Sequence, residues 1–205
     1  QHLLKGSSSA KKVTLSFWVK SNKTGTYICE IDDNDNTRNI NKSYTINSAN
    51  TWEKKTITYD GDTSGVLDND NDHSLRVMFW LGAGSNFTSG TLQTSWGSTV
   101  EANRAVGQVN LADSTSNELY ITGCQLEVGS TASGFEFEPY ERILHKCQRY
   151  YDANTGQLLG AIAGTSTALQ FGSARYTREM RASPTVKLYG NGSTNRVRRG
   201  SDGTE

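Results

Sequence analysis

Tryptophan sets the chemical possibilities of this chain. Trp18 and Trp80 lie on the polar-alternating faces of two strand-like runs, and Trp96 lies in a loop of Ser, Thr and Gly. A flat indole stacks on the apolar C–H face of a sugar ring, while nearby polar groups take the hydroxyls. Arg76 shares the Trp80 side of its strand and would supply one such group. Trp80, Trp96, Trp18 and Arg76 are therefore the candidate carbohydrate-binding residues. Trp52 begins a strand and is expected to cap the core. An outward indole serves equally well as a cross-sheet, interdomain or subunit contact, so both readings stand.

Catalytic chemistry finds little purchase. The sequence has no Gly-x-Ser-x-Gly elbow, HExxH pair or Walker loop. His2, His73 and His145 are scattered, and His145 is expected to pack or hydrogen-bond rather than catalyse. The acidic residues cluster in turns. Asp68-Asn-Asp-Asn-Asp72 opens like an EF-hand loop, but His73 and Phe79 stand where that loop needs Gly and Glu. A solvated turn rich in Asn and Asp is the better reading. The expectation is a non-enzymatic chain with no cofactor and no metal.

Composition narrows the class. The 205 residues carry 21 basic and 21 acidic side chains, so no bulk field draws the chain to nucleic acid. No apolar run approaches the ~20 residues of a membrane helix, and no membrane insertion is expected. Cys29, Cys124 and Cys147 have no CxxC spacing, and an odd count argues against a disulfide framework. Gly numbers 20 and Pro only 2, amid abundant Ser, Thr and Asn, which suits short strands joined by polar turns.

The elements follow from alternation. In Val13–Lys20, Val13, Leu15, Phe17 and Val19 share one face and Thr14, Ser16, Trp18 and Lys20 the other. Leu75, Val77, Phe79 and Leu81 point inward in the same way, opposite Arg76, Met78 and Trp80. Further strands are expected over 26–31, 38–46, 52–59 and 118–128, with a loop-rich stretch from 87 to 108. Pro139 starts the one expected helix, ending near His145, and Cys147–Tyr151 reads as a strand whose two tyrosines pack at a hinge. The fold class is all-β: an antiparallel jelly-roll β-sandwich followed by a small β-rich C-terminal domain. The divisions expected are 1–137, a helix and hinge at 138–151, and a C-terminal segment at 152–205. About fifty residues cannot close a sufficient core alone, so that segment needs the sandwich or copies of itself.

An ordered series of motifs carries a family resemblance. Leu3-Leu-Lys-Gly-Ser-Ser-Ser-Ala-Lys-Lys-Val-Thr-Leu-Ser-Phe-Trp-Val-Lys20, Thr51-Trp-Glu-Lys-Lys-Thr-Ile-Thr-Tyr59 and Phe79-Trp-Leu-Gly-Ala-Gly-Ser85 come first. Gln125-Leu-Glu-Val-Gly129, Phe135-Glu-Phe-Glu-Pro-Tyr140, Cys147-Gln-Arg-Tyr-Tyr151 and Met180-Arg-Ala-Ser-Pro-Thr-Val186 follow. Together they resemble bacteriophage tail-fibre proteins, especially those of marine and cyanobacterial phages. The resemblance spans nearly the whole chain. It implies a virion adhesin with a carbohydrate-binding-module-like domain, assembled in the reducing host cytoplasm, displayed on the particle and bound to other tail proteins. The partner it implies outside the particle is host surface polysaccharide or lipopolysaccharide. The first strands of the family are missing here, which implies a fragment.

The resemblance also implies a homotrimer built through the C-terminal piece. From Phe171 to Glu205 there are seven basic and three acidic side chains. Arg175, Arg178, Arg181 and Tyr189 are the expected subunit contacts, with Arg196, Arg198 and Arg199 in the same basic run. An alternative is that these arginines meet anionic lipopolysaccharide. Two rival roles remain beside the adhesin: an accessory carbohydrate-binding module of a secreted polysaccharide-degrading enzyme, and a purely structural capsid-fibre, decoration or tail-adaptor protein.

Overall fold

The computed structural model describes residues 2–68, 70, 72–152, 161–162, 170–171, 177–183, 189–190 and 193–194. The chain divides into two compact units, Gln1–Glu136 and Phe137–Glu205. The first is mostly β and consists of two antiparallel sheets. One has the order β4-β1-β7, from β1 (Val13–Ser21), β4 (Glu53–Tyr59) and β7 (Leu119–Val128). The other has the order β5-β2-β3-β6, from β2 (Gly25–Asp33), β3 (Arg38–Ile46), β5 (Leu75–Trp80) and the short β6 (Gly97–Ser98).

Period-two alternation explains why the sheets meet. Val13, Leu15, Phe17 and Val19 of β1 join Ile57 and Tyr59 of β4 on one inner face. Tyr27, Cys29, Ile31, Ile40, Tyr44 and Ile46 of β2 and β3 form the other. Phe17 stands edge-on to Tyr44 at 5.1 Å and to Phe79 at 5.0 Å, which interlocks the layers. The Tyr59 hydroxyl crosses the core and donates to the Cys29 carbonyl at 3.1 Å.

A bulge keeps β7 in step. Ser16 pairs with Gln125 and Trp18 with Thr122, so Gly123 and Cys124 together oppose Phe17. Gly123 adopts φ +59°, the left-handed conformation such a bulge asks of glycine. The extra residue switches the alternation. Leu119 and Ile121 before it, and Leu126 and Val128 after it, all lie on the Leu15 side of the sheet, Leu126 opposite Leu15 and Val128 opposite Val13.

The 81–117 stretch, which includes the loop-rich 87–108 expected from sequence, contains the one-turn α1 (Ser85–Thr88), β6 and two 3-10 turns, Glu101–Asn103 and Leu111–Asp113. It lies over the outer face of the four-stranded sheet. Val109 N–H donates to the Thr26 carbonyl at 2.8 Å and Asn41 N–H to the Gln93 carbonyl at 2.8 Å.

The second unit begins with α2 (Tyr140–Gln148), preceded by Pro139 in an extended N-cap conformation. Glu141 in its first turn and His145 and Lys146 in its last suit the helix dipole. Cys147 and Gln148 finish this helix, and Arg149 and Tyr150 form a turn, which corrects the expected strand over Cys147–Tyr151. Tyr150 and Tyr151 are exposed rather than packed. The helix wins because Ile143, Leu144 and Cys147 continue its period, whereas no strand among the described residues pairs with this segment. Two short ribbons follow, β8 (Ala161–Ile162) with β9 (Gln170–Phe171), and β10 (Tyr189–Gly190) with β11 (Ser193–Thr194).

Candidate functional site: an aromatic row on the three-stranded sheet

The four proposed sugar-binding residues do not form one surface. Trp80 and Arg76 do share the outer face of β5, as alternation requires, but both are engaged. The Trp80 indole N–H donates to Glu30 Oε2 at 2.6 Å, its ring lies 5.2 Å from Phe87, and the Arg104 guanidinium sits 5.3 Å from its centroid. Arg76 donates to Asp32 at 2.7 Å. Trp96 is half-buried against the core. Its N–H donates to the Asp60 carbonyl at 2.6 Å, and the Lys5 ammonium lies 4.9 Å from its ring.

The outer face of the four-stranded sheet is polar but closed. Glu30, Asn39 and Asn41 are fully buried beneath the 81–117 stretch. Arg104 bonds both oxygens of Glu30, the nearest at 2.8 Å, and also reaches Glu101. Gln93 donates to the Asn39 side chain at 2.7 Å. Both oxygens of Glu30 and the Asn39 side-chain oxygen have donors from this chain, which is how buried charge is tolerated.

A second charged knot ties the N-terminal segment to the sheets. The buried Lys5 ammonium donates to Asp33, to Asp62 at 2.9 Å and to the Gly65 carbonyl at 3.0 Å. Arg38 forks onto both oxygens of Asp62 at 2.8 Å. Burial pushes the Asp62 carboxyl up, but the hydrogen bonds from Arg38 and Lys5 outweigh it and hold the pKa at about 2.

The exposed aromatics gather on the other sheet. Trp18 (41 % exposed), Trp52 (42 %) and Tyr120 (46 %) lie on the outer face of β4-β1-β7. Trp52 thus sits outside, not over the core as expected. It precedes β4 by one residue, and even positions along β4 point away from buried Ile57 and Tyr59. Lys20 of β1 is paired with Tyr120 of β7, and Trp18, one pleat along, with Lys54 of β4 and Thr122 of β7. The Trp52 and Tyr120 rings are 6.5 Å apart and tilted by 59°. The Lys20 ammonium lies 5.5 Å from the first and 4.8 Å from the second.

The surroundings fix these rings. A Cβ on Gly123 would come 3.4 Å from Trp18 Cδ1 and 3.8 Å from Phe135, so the bulge provides the floor under the Trp18 indole. The 129–136 strap runs beside it, anchored by Gln125 and Glu127 to Ser133, Gly134 and Glu136. The Tyr120 hydroxyl donates to Glu118 at 2.9 Å, and that bond raises its pKa. The result is an open, ring-paved strip with hydrogen-bonding edges.

Arg178 is exposed and bonds His145 Nδ1 at 3.0 Å, which gives that histidine the hydrogen-bonding role expected of it. The Arg181 backbone N–H donates to the Arg149 carbonyl at 2.9 Å. Tyr189 belongs to β10, and its side chain, like Arg175, Arg196, Arg198 and Arg199, lies outside the described residues. In the 68–72 loop, Asp68 accepts from the Asp70 N–H and Asp70 from the Asp72 N–H, the self-capping pattern of an Asx turn. Among the described residues there is no group of three or more His, Cys, Asp and Glu arranged to hold a metal, and no helix long and apolar enough to cross a membrane. No family model matches the chain, and no curated protein or solved structure does.

Proposed function

We propose that this chain is a non-enzymatic adhesive segment of a bacteriophage virion, a tail-fibre or receptor-binding piece that holds host surface polysaccharide. In this reading the first unit is a jelly-roll sandwich of the carbohydrate-binding-module type, and the 152–205 segment joins sister chains in a trimer. The observation that carries it is the exposed row of Trp18, Trp52 and Tyr120 on one sheet face. Stacked sugar rings match such a row without any deep pocket. A single face of this kind binds weakly, and a trimer on several fibres would raise avidity by ~10²–10⁴ where geometry permits.

Two measurements test it together. Light scattering after size exclusion reads the oligomeric state, with three chains expected. Affinity electrophoresis through gels containing bacterial surface polysaccharides reads adhesion, with retardation expected and lost in Trp18→Ala and Trp52→Ala. A blank panel from an intact trimer would instead favour a purely structural role, and a binding monomer an enzyme-borne module.

A further inference from the structure

We propose that the polysaccharide held on this face is acidic, its carboxylates received by Lys20 and Lys54 while its rings lie on Trp18, Trp52 and Tyr120. This rests on the adhesive reading above and names the ligand class for the same face. Elsewhere in the first unit, buried cations are paired: Lys5 with Asp33 and Asp62, and Arg104 with Glu30. At the end of the strip, Lys12 meets Asp60 at 2.8 Å. Neither Lys20 nor Lys54 has a carboxylate oxygen within 4.0 Å among the described residues.

The acids on this face are occupied. Glu118 accepts the Tyr120 hydroxyl, and Glu127 accepts the Ser133 N–H and hydroxyl, while Lys54 reaches Glu127 only through space. Those bonds come from neutral groups and leave both carboxylates charged, so what sets Lys20 and Lys54 apart is that no carboxylate of the described residues is within hydrogen-bonding reach of their ammonium groups. Lys20 and Lys54 stand on neighbouring strands in adjacent pleats, a diagonal of order 8 Å. That span is comparable to one or two pyranose units, so successive acidic sugars could meet both ammonium groups. A carboxylate gains a charge-assisted hydrogen bond from an ammonium already partly desolvated over two rings.

The test uses the full chain in affinity electrophoresis against polygalacturonate, alginate and hyaluronate, each beside its carboxyl-reduced form. The acidic forms should bind at least ~10-fold more tightly than their reduced partners, with affinity falling as salt rises. Lys20→Gln and Lys54→Gln should each lower acidic-form affinity by roughly tenfold and leave binding of any neutral form unchanged. Both lysines are on the outer face, so an unchanged melting temperature confirms that the variants fold. Equal binding of acidic and reduced forms, or glutamine variants that bind like wild type, would overturn the acidic assignment and leave the adhesive reading standing. If no polysaccharide of either kind binds, both fall.

Discussion

Replacing Lys5 by Met is the sharpest perturbation the first unit offers. The methionine keeps the apolar stem but removes an ammonium whose partners are Asp33, Asp62 and the Gly65 carbonyl, all in a buried setting. Asp62 would keep the two bonds from Arg38 and the Ser64 N–H. Asp33 would keep its hydrogen bonds only to Asn36, leaving its buried charge no hydrogen-bonded cation and only the longer-range field of Arg38. Breaking such a pair from one side costs about 3–5 kcal/mol, and the lost contact with the Trp96 ring adds to it. A domain of this size has about 5–15 kcal/mol to lose, so Lys5→Met should leave the fold marginal. Urea unfolding followed by tryptophan fluorescence reads this directly. Adding Asp33→Asn removes the stranded charge, so the double variant should recover at least ~1 kcal/mol relative to Lys5→Met. A Lys5→Met protein within ~0.5 kcal/mol of wild type, or a double variant that loses the sum of both singles, would refute the reasoning.

Acid should destabilise the same knot. The Asp62 pKa is held at about 2 against the ordinary 3.8, so its contribution is present above pH 4 and is lost as pH falls toward 2. It amounts to about 2 kcal/mol, and melting curves from pH 2 to 5 should show a shallower fall for Asp62→Asn than for wild type. Burial pushes the Cys29 thiol up to about 12, whereas Cys124 and Cys147 are exposed. A thiol reagent at pH 8 should therefore titrate two cysteines in the native chain and the third only on unfolding. Gly123→Ala forces a side chain into positive φ and 3.4 Å from the Trp18 ring, which should cost about 1 kcal/mol in chemical unfolding and shift the Trp18 emission. An unshifted spectrum would disconnect the bulge from the indole.

Much of this arrangement is readable from alternation alone. The inner and outer sets of β1 and β5 follow directly from their periods, including the outward course of Trp18, Arg76 and Trp80, whereas Leu81, expected inward, lies past the end of β5 and is exposed. Period says which way a residue points, and it cannot say what lies above it. Trp80 points outward into a closed polar layer because the aperiodic 81–117 stretch lies over that sheet. The burial of Glu30, Asn39 and Asn41 was hidden for the same reason. Trp96 lies in a segment with no period, so nothing local marked its seat against the core. Trp52, by contrast, was legible: it has the parity of Lys54 and Thr56, opposite Ile57 and Tyr59. Weight given to its position at a strand start concealed that parity. Partnering Tyr120 with it needed the register of β1 with both neighbours, which is a non-local fact.

The glycan-holding surface is best challenged by one comparison. Wild type and a Trp18→Ala/Trp52→Ala/Tyr120→Phe variant, matched in melting temperature, would be run through the same polysaccharide gels beside Trp80→Phe. Retardation should vanish in the triple variant and persist in Trp80→Phe. Retention of binding by the triple variant, or its loss in Trp80→Phe alone, would move the adhesive surface off the three-stranded sheet.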